Sequence, residues 1–179
     1  MMLSLTEEEM LQRWRLLTML EPMAPAGAII ERSDYTSLRE LCLFRMRAWY
    51  IDLLDAADPS LVPVSDIRSS CDMALVRGQW ELSLPEGTRR VLSVQLAGWP
   101  APVVPRSPAE ASTTSNPYLT GASGTPEVIR TAPDKLVIRG PVTDSPALAG
   151  SVFATTLPAD GTYILSEKAL ALITPHLIP

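Results

Sequence analysis

The 179-residue sequence lacks most of the residue patterns that mark a chemical site. It has one histidine, His176, and two cysteines, Cys42 and Cys71, with no Cys-x-x-Cys pair, so the usual ligands of a zinc site are not present. Neither a Walker phosphate loop nor a Gly-x-Gly-x-x-Gly motif occurs. Both cysteines lie in apolar surroundings, and we expect two reduced, buried thiols.

Long apolar runs and excess positive charge are also missing. No run of about 18 apolar residues occurs, which argues against a membrane-spanning helix. Acidic residues stand near the N-terminus where a secretory signal would have basic ones, so we predict no signal peptide. The net charge of −5 disfavours a protein that grips nucleic acid through a basic face. A negative net charge is still compatible with a protein that surrounds DNA without holding it, because a weakly repelling wall lets DNA slide.

The remaining candidates for chemistry have simpler explanations. Residues 121–124, Gly-Ala-Ser-Gly, fall short of a Gly-x-Ser-x-Gly elbow, and we interpret them as a bend. We interpret His176 as a surface or interface residue. Asp52, Asp55 and Asp58 recur every three residues, which is typical of a solvated helix face. We therefore predict that the chain is not an enzyme and has no cofactor-binding or metal-binding residues.

The first 78 residues are predicted to be helical. Thr6 and Glu9 form a capping box at the start of a first helix, which Pro22 ends. A second helix is predicted from about residues 33–37 to Ala57, before Asp58-Pro59. A third, weaker helix is predicted over residues 64–77, because apolar side chains recur there every four residues.

After residue 78 the apolar residues alternate, which indicates strands. Residues 80–84 and 91–96 alternate on either side of a Pro-Glu-Gly turn, and we predict a β-hairpin over 79–98. Further strands are predicted around residues 135–139, 152–156 and 162–165. Ser166 is predicted to cap a short helix over 167–173.

Proline distinguishes the two halves of the chain, since 12 of the 17 prolines follow Trp99. Residues 99–134 are rich in proline and show no periodicity, so we predict an extended arm that a neighbouring chain holds. The fold class is then α+β. Two or three N-terminal helices (1–78) precede a hairpin (79–98), the arm (99–134), and strands with a short C-terminal helix (135–179). The β part is expected to be a small, mostly antiparallel sheet or sandwich.

The hairpin region carries a family resemblance. The stretch WELSLPEGTRRVLSVQLAGWPAPV contains Leu84-Pro85 at a strand end, Arg89-Arg90 in the next strand, and the Gly98-Trp99 bend. With SNPYLTGASGTPEVI and VFATTLPADGTYILSEKALALI, it resembles the head-to-tail connector proteins of short-tailed phages. These are adaptor or ring proteins, including tail tubular protein A-like and crAss-like phage ring proteins. The resemblance covers about residues 34–170, and its motifs are short.

The resemblance implies a structural role in the virion. Family members form closed rings, usually of twelve copies, that stack below the portal protein with other tail or ring proteins. Double-stranded DNA passes through without specific binding, and no membrane is involved. The protein would be made in the cytoplasm of the host bacterium and would reside in the neck of the virion. Its candidate subunit-interface residues are Trp99, Pro100, Pro102, Asn116, Tyr118 and Pro126. Deletion of residues 105–125 is expected to leave a folded core and prevent ring assembly.

Two other functions remain open. The chain could be another virion component, such as a tail-completion, tail-tube or head-decoration protein. It could instead be a soluble ligand-binding domain or enzyme, which would need a pocket with convergent polar groups. Native mass separates the soluble domain from the two assembly proteins, and position in the particle separates those two from each other.

Overall fold

The computed structural model describes residues 1–18, 32–110, 126–140, 142 and 150–173, without the side chains of residues 32–37. These residues form an α+β fold with an N-terminal helical part, which confirms the predicted fold class. The chain divides into two compact units. Unit 1 is Met1–Pro63 with Leu157–Pro179, and unit 2 is Val64–Thr156. Within the described ranges, no helix is long and apolar enough to cross a membrane.

The regular elements follow one another along the chain in both units. In order they are β1 (Met2–Leu5), α1 (Glu7–Thr18), α2 (Arg32–Ala56), β2 (Ser65–Asp66), a 3₁₀ helix (Arg68–Ser70), β3 (Asp72–Val76), β4 (Gln79–Ser83), β5 (Thr88–Leu96), β6 (Glu127–Ala132), β7 (Lys135–Arg139), β8 (Gly150–Thr156), β9 (Tyr163–Ser166) and a second 3₁₀ helix (Glu167–Leu172).

Unit 1 begins with the predicted capping box. The Glu9 N–H donates to Thr6 Oγ1 at 3.3 Å, and the Thr6 N–H donates to Glu9 Oε2 at 2.9 Å. The first two predicted helices are confirmed over their described residues, and α2 ends one residue before Ala57. The position of Pro22 lies outside the described residues.

The helices of unit 1 share a core with a two-stranded sheet, in which β1 and β9 pair antiparallel. The Tyr50 hydroxyl ties α2 to β9, because it donates to the Ile164 carbonyl and accepts from the Ile164 N–H, both at 3.0 Å. The fully buried side chains of this core include Met10, Leu11, Met46, Tyr50, Leu54, Val62 and Leu165.

Unit 2 consists of two antiparallel sheets around a second core. The three-stranded sheet has the order β2-β8-β5, and the four-stranded sheet has the order β3-β4-β7-β6. Both sheets contribute side chains to one cluster, as expected for the predicted small sandwich. Its fully buried members include Leu82, Val94, Leu96, Val128, Leu136 and Val152.

The predicted third helix is wrong. Residues 64–77 form β2, a 3₁₀ turn and β3 instead. The apolar positions Ile67, Cys71 and Leu75 are four residues apart, and this spacing fits a strand of period two as well as a helix. The Asp66 carboxylate also favours the turn, because it accepts from the backbone N–H groups of Arg68 at 3.0 Å and Val152 at 2.9 Å.

The predicted hairpin over 79–98 is also wrong. Both strands exist, but β4 pairs with β3 and β7, whereas β5 pairs with β8 in the other sheet. The turn after β4 therefore carries the chain from one sheet to the other. Pro85 has no N–H for a ladder, and its carbonyl accepts from the Thr88 hydroxyl at 2.7 Å. The hairpin in this part of the chain is β3–β4, turning at Arg77-Gly78.

The predicted arm over 99–134 is wrong in part. It contains β6, and unit 2 itself holds the residues before Glu110. Val103 and Val94 exchange two backbone hydrogen bonds of 2.8 Å, and the Arg106 segment forms a parallel bridge to Ile129. The strand β6 has only six residues, between Pro126 and Pro133, and so short a segment shows too little apolar alternation to indicate a strand. The middle of the arm, residues 111–125, lies outside the described residues.

The end of the chain follows the prediction. The strands expected around 135–139, 152–156 and 162–165 are confirmed as β7, β8 and β9. The last short helix is a 3₁₀ helix, and its cap is Ser166, whose side chain accepts from the Lys168 N–H at 3.3 Å. His176 lies outside the described residues.

Candidate functional site

The residues that carry the family resemblance lie in unit 2, and several of them pack in its core. Leu84 is buried, and its N–H donates to the Asp134 carbonyl at 2.8 Å. Gly98 has a φ of +83°, which L side chains rarely adopt, and it turns the chain so that Trp99 enters the core. Arg89 is half-buried on β5, where its carbonyl accepts from Arg130 Nη1 at 2.8 Å.

The predicted subunit-interface residues are divided among different environments. Trp99 is 5% exposed and packs in the core of unit 2, so its indole is not a surface group. Pro100 and Pro102 are exposed, and Pro126 is half-buried. Asn116 and Tyr118 lie outside the described residues. Pro100 and Pro102 therefore remain the surface candidates of this set.

These two prolines belong to an exposed segment that we call the proline strip, residues 100–108. The strip is extended because its backbone forms hydrogen bonds with β5 and with β6. Val103 pairs with Val94, while the Arg106 N–H donates to the Val128 carbonyl at 2.9 Å. Val104 is 66% exposed. The strip ends at a turn in which the Glu110 carboxylate accepts from the Ser107 N–H and hydroxyl.

Unit 1 presents an apolar surface on α2. The core side of this helix carries Cys42, Met46 and Tyr50, as its buried positions show. Leu41, Phe44 and Ala48 recur at helical spacing on the other side, where Phe44 is 71% exposed and Leu41 is 43% exposed. We call these three residues the α2 surface. Together they place exposed apolar side chains on one face of α2.

Unit 2 presents a second apolar surface at the edge of its four-stranded sheet. The strand β3 lies at that edge, with Leu75 59% exposed and Val76 39% exposed. The opposite edge, β6, is covered by the Arg106 bridge. Across the part of the chain that the structure describes, β3 has no strand on its outer side. Unprotected edge strands accept a further chain through their free backbone groups.

Unit 1 also contains a cleft of about 260 Å³. Its lining includes Tyr50 and Tyr163, which are buried and whose rings meet edge to face with centroids 4.9 Å apart. Ile51, Leu157 and Pro158 supply much of the apolar lining. We call this feature the unit 1 cleft.

An ion pair lies at the side of the unit 1 cleft. Glu7 Oε2 accepts from Arg47 Nε at 2.9 Å and from Arg47 Nη2 at 2.6 Å. It also accepts from the Tyr163 hydroxyl at 3.4 Å. The hydrogen bonds from Arg47 to Glu7 raise the pKa of the guanidinium, while burial raises the pKa of Tyr50 and of Tyr163. At neutral pH Arg47 is therefore a cation and both phenols are neutral.

The polar groups of the cleft are directed at each other. Arg47 binds Glu7, and the Tyr50 hydroxyl is used by the Ile164 backbone. This arrangement suits recognition of an apolar group better than acid–base chemistry, which needs a polar group aimed at a substrate.

Within the described ranges, no three His, Cys, Asp or Glu residues lie together as metal ligands. Cys42 and Cys71 are free and buried, as predicted. Burial raises the pKa of the Cys71 thiol to about 11, so it is not a reactive thiolate at neutral pH.

No pattern in the sequence indicates the unit 1 cleft. Tyr50 and Tyr163 are far apart in the chain, and no short motif joins them. Glu7 lies between the two capping-box residues Thr6 and Glu9, and its pairing with Arg47 depends on how α2 packs against α1. A scan of protein-family models finds no match, and neither do searches of curated proteins and of solved structures.

Proposed function

We propose that this protein is a structural ring subunit of a phage head-to-tail connector, which assembles below the portal protein and forms part of the DNA channel. The motif resemblance around Leu84-Pro85 and Gly98-Trp99 is the reason for choosing this family. The observation that carries the assembly role is the pair of unlike apolar surfaces, one on each unit.

A subunit in a stack of rings needs several unlike contact surfaces. It meets a neighbour on each side through two different faces, because cyclic rings use heterologous interfaces. It also meets other proteins above and below. The α2 surface is a helix face, whereas the β3 edge offers backbone groups and Leu75. These two surfaces support a protein that binds more than one kind of neighbour.

The soluble ligand-binding alternative has one supporting feature, the unit 1 cleft. Its volume of about 260 Å³ lies slightly below the usual range for small-molecule sites. Because Glu7 and Arg47 satisfy each other there, few polar groups remain to orient a small ligand. Assembly is therefore the function that the surfaces favour. Another virion component would share these surfaces and differ in its place in the particle.

The first experiment is the native mass of the chain, alone and after addition of the portal protein. We expect a closed ring of about twelve copies on the portal, each of 19.5 kDa. Phe44→Glu should abolish or weaken this assembly, because it puts a charge on the α2 surface. Leu172→Glu is the matched control, since Leu172 is 48% exposed and lies outside that surface. A species near 19.5 kDa in both conditions would refute the ring.

A replacement tests the segment between the proline strip and β6. The expected deletion of 105–125 would remove Arg106 and Glu110, which have places in the fold. Arg106 pairs in parallel with Ile129, and a parallel pair needs a long connection. Replacement of residues 111–125 by a glycine-serine linker of the same length spares both residues and keeps that connection. We expect this variant to keep the cooperative unfolding of the wild type but to form no ring with the portal. Rings of normal size from the variant would show that the segment is not an interface.

A further inference from the structure

The outer side of β3 carries a short row of free backbone groups. In a two-residue hairpin the residues beside the turn form a hydrogen-bonded pair, here Val76 and Gln79. Hydrogen-bonded and non-hydrogen-bonded pairs alternate along an antiparallel ladder, so Ala74 also directs its N–H and C=O groups towards β4. Met73 and Leu75 therefore direct theirs away from β4, to a side where the described ranges place no strand.

The sequence of β3 does not protect this edge. Natural edge strands are kept from pairing by a lysine, a proline, a bulge or an inward-pointing charge. The last four residues of β3 are Met-Ala-Leu-Val, and their pairing with β4 is regular. Leu75 is 59% exposed and Val76 is 39% exposed, so the edge is accessible to a further strand.

The charges at the two ends of β3 are opposite, which indicates what kind of strand would fit. Asp72 begins the strand and Arg77 directly follows its end. Neither has an ion-pair partner among the residues that the structure describes. A strand with an apolar middle and opposite charges at its ends is complementary to an antiparallel copy of itself, because reversal brings each charge beside its opposite.

The free backbone groups also select one register for such a pair. The backbone of Cys71 is already in use, since its N–H donates to the Arg68 carbonyl and its carbonyl accepts from Arg68 Nη1, both at 3.2 Å. After β3 the chain turns, so a partner strand must use Met73 and Leu75. The antiparallel register that uses both places Met73 opposite Leu75 of the second copy, and Ala74 opposite Ala74 on a twofold axis. Each Met73–Leu75 pair then exchanges two backbone hydrogen bonds.

We propose that two copies of this chain pair through β3, antiparallel about a twofold axis at Ala74, so that their four-stranded sheets join into one sheet of eight strands. Asp72 of each copy then lies beside Arg77 of the other. This contact goes beyond the connector function, because it uses the same surface on both copies and closes at two, whereas a ring joins unlike faces. The dimer is the form of the chain without the portal protein.

Lysine substitutions on one face of β3 test the pair and its register. Ala74→Lys places two lysines directly opposite each other across the axis, with Cα atoms about 4.5 Å apart. Within its own chain the same lysine lies opposite Glu81, so the variant should fold. Val76→Lys is the matched control, since its lysine falls opposite Asp72 of the second copy.

Sedimentation equilibrium from about 10 μM to 1 mM chain measures the result. We expect the wild type and Val76→Lys to approach about 39 kDa, twice the chain mass of 19.5 kDa. The Kd of Ala74→Lys should be about tenfold higher or more. A wild-type mass of 19.5 kDa throughout this range would overturn the proposal. Equal Kd values for the two lysine variants would do the same.

Cysteine trapping tests the register independently. Ala74→Cys brings two thiols together across the axis, where a Cα separation of about 4.5 Å suits a disulfide. Val76→Cys is the control, because its two copies lie four residues apart along the paired strands, about 14 Å. The native Cys42 and Cys71 are buried, and the wild type gives their background. Under mild oxidation we expect at least about tenfold more covalent dimer from Ala74→Cys. Equal amounts would contradict the twofold register.

The dimer and the connector function can fail separately. A wild-type dimer that forms no ring on the portal would refute the connector function and leave the β3 pair standing. Rings on the portal from a chain that is monomeric alone would refute the β3 pair and leave the connector function standing.

Discussion

Cys71 illustrates how burial dominates the chemistry of one side chain. It packs in the core of unit 2, where its thiol donates to the Ile67 carbonyl at 3.3 Å. Removal from water disfavours the thiolate, which is the main reason that its pKa rises from 9.0 to about 11. The folded chain therefore holds this proton more tightly than the unfolded chain does.

The raised pKa of Cys71 predicts a loss of stability at alkaline pH. The folded pKa lies above the unfolded value, so the contribution is present below about pH 9 and is lost as the pH rises to about 11. We expect the wild type to lose roughly 1 to 2 kcal/mol relative to Cys71→Ala over this interval. Urea unfolding of both chains at pH 8 to 11 measures the difference in their free energies of unfolding. Tyrosine ionisation affects both chains equally, so it cancels in this difference. A constant difference would contradict the prediction.

At the scale of elements, apolar packing rather than ion pairing holds the helices of unit 1. The Arg39–Glu8 and Arg47–Glu7 pairs join α2 to α1, but their side chains are largely exposed. Such pairs contribute at most about 1 kcal/mol each. Trp14 of α1 and Trp49 of α2 also meet, with ring centroids 5.5 Å apart. Met10 and Met46 are fully buried in the same core.

The β3–β4 hairpin contains a strained residue. Val76 pairs with Gln79, and the two residues of the turn, Arg77 and Gly78, have φ values of +50° and +80°. This is the arrangement of a type I′ turn, in which both central residues need positive φ. Glycine adopts it freely, while arginine does so at a cost of about 1 kcal/mol or more.

Replacement of Arg77 by asparagine should therefore stabilise the protein. Asparagine tolerates the left-handed region, and we expect Arg77→Asn to raise the free energy of unfolding by about 0.5 to 1 kcal/mol. Arg77→Ala is the matched control, because it removes the same side chain without that tolerance. Thermal and urea unfolding compare the three chains. Equal stability of the Asn and Ala variants would show that the turn conformation does not limit stability.

At the scale of the whole molecule, charge is divided unequally between the units. Unit 1 contains seven Lys and Arg against twelve Asp and Glu, so it carries the entire net charge of −5. Unit 2 contains eight of each and is neutral. Neither unit has the excess of positive charge that phosphate binding needs.

This charge distribution predicts that the protein does not retain DNA. We expect no gel shift of a double-stranded fragment at about 100 mM salt, with chain concentrations in the micromolar range. A basic DNA-binding protein run in the same gel is the positive control, and its shift should weaken as the salt concentration rises. A shift by the wild type would argue against a channel wall along which DNA slides.

Local sequence signals determined several elements without help from the rest of the chain. The capping box at Thr6 and the cap at Ser166 appear as predicted, because each needs only residues within a turn of itself. The α2 helix and the strands β7 to β9 also follow from their apolar periodicity. The class of the fold and the buried, free state of Cys42 and Cys71 were predictable in the same way.

Tertiary structure decided which elements pair and which residues meet. The positions Ile67, Cys71 and Leu75 fit a helix and a strand equally well, and pairing of β3 with β4 made the choice. The apolar residues of both β4 and β5 alternate, which is typical of a hairpin, but alternation does not determine which strand each one pairs with. The cleft joins Glu7, Tyr50 and Tyr163, which no local pattern relates. Backbone preference and capping act over a few residues, so the local sequence determines them. Strand pairing and clefts depend on burial between residues far apart in the chain, which only the folded chain brings about.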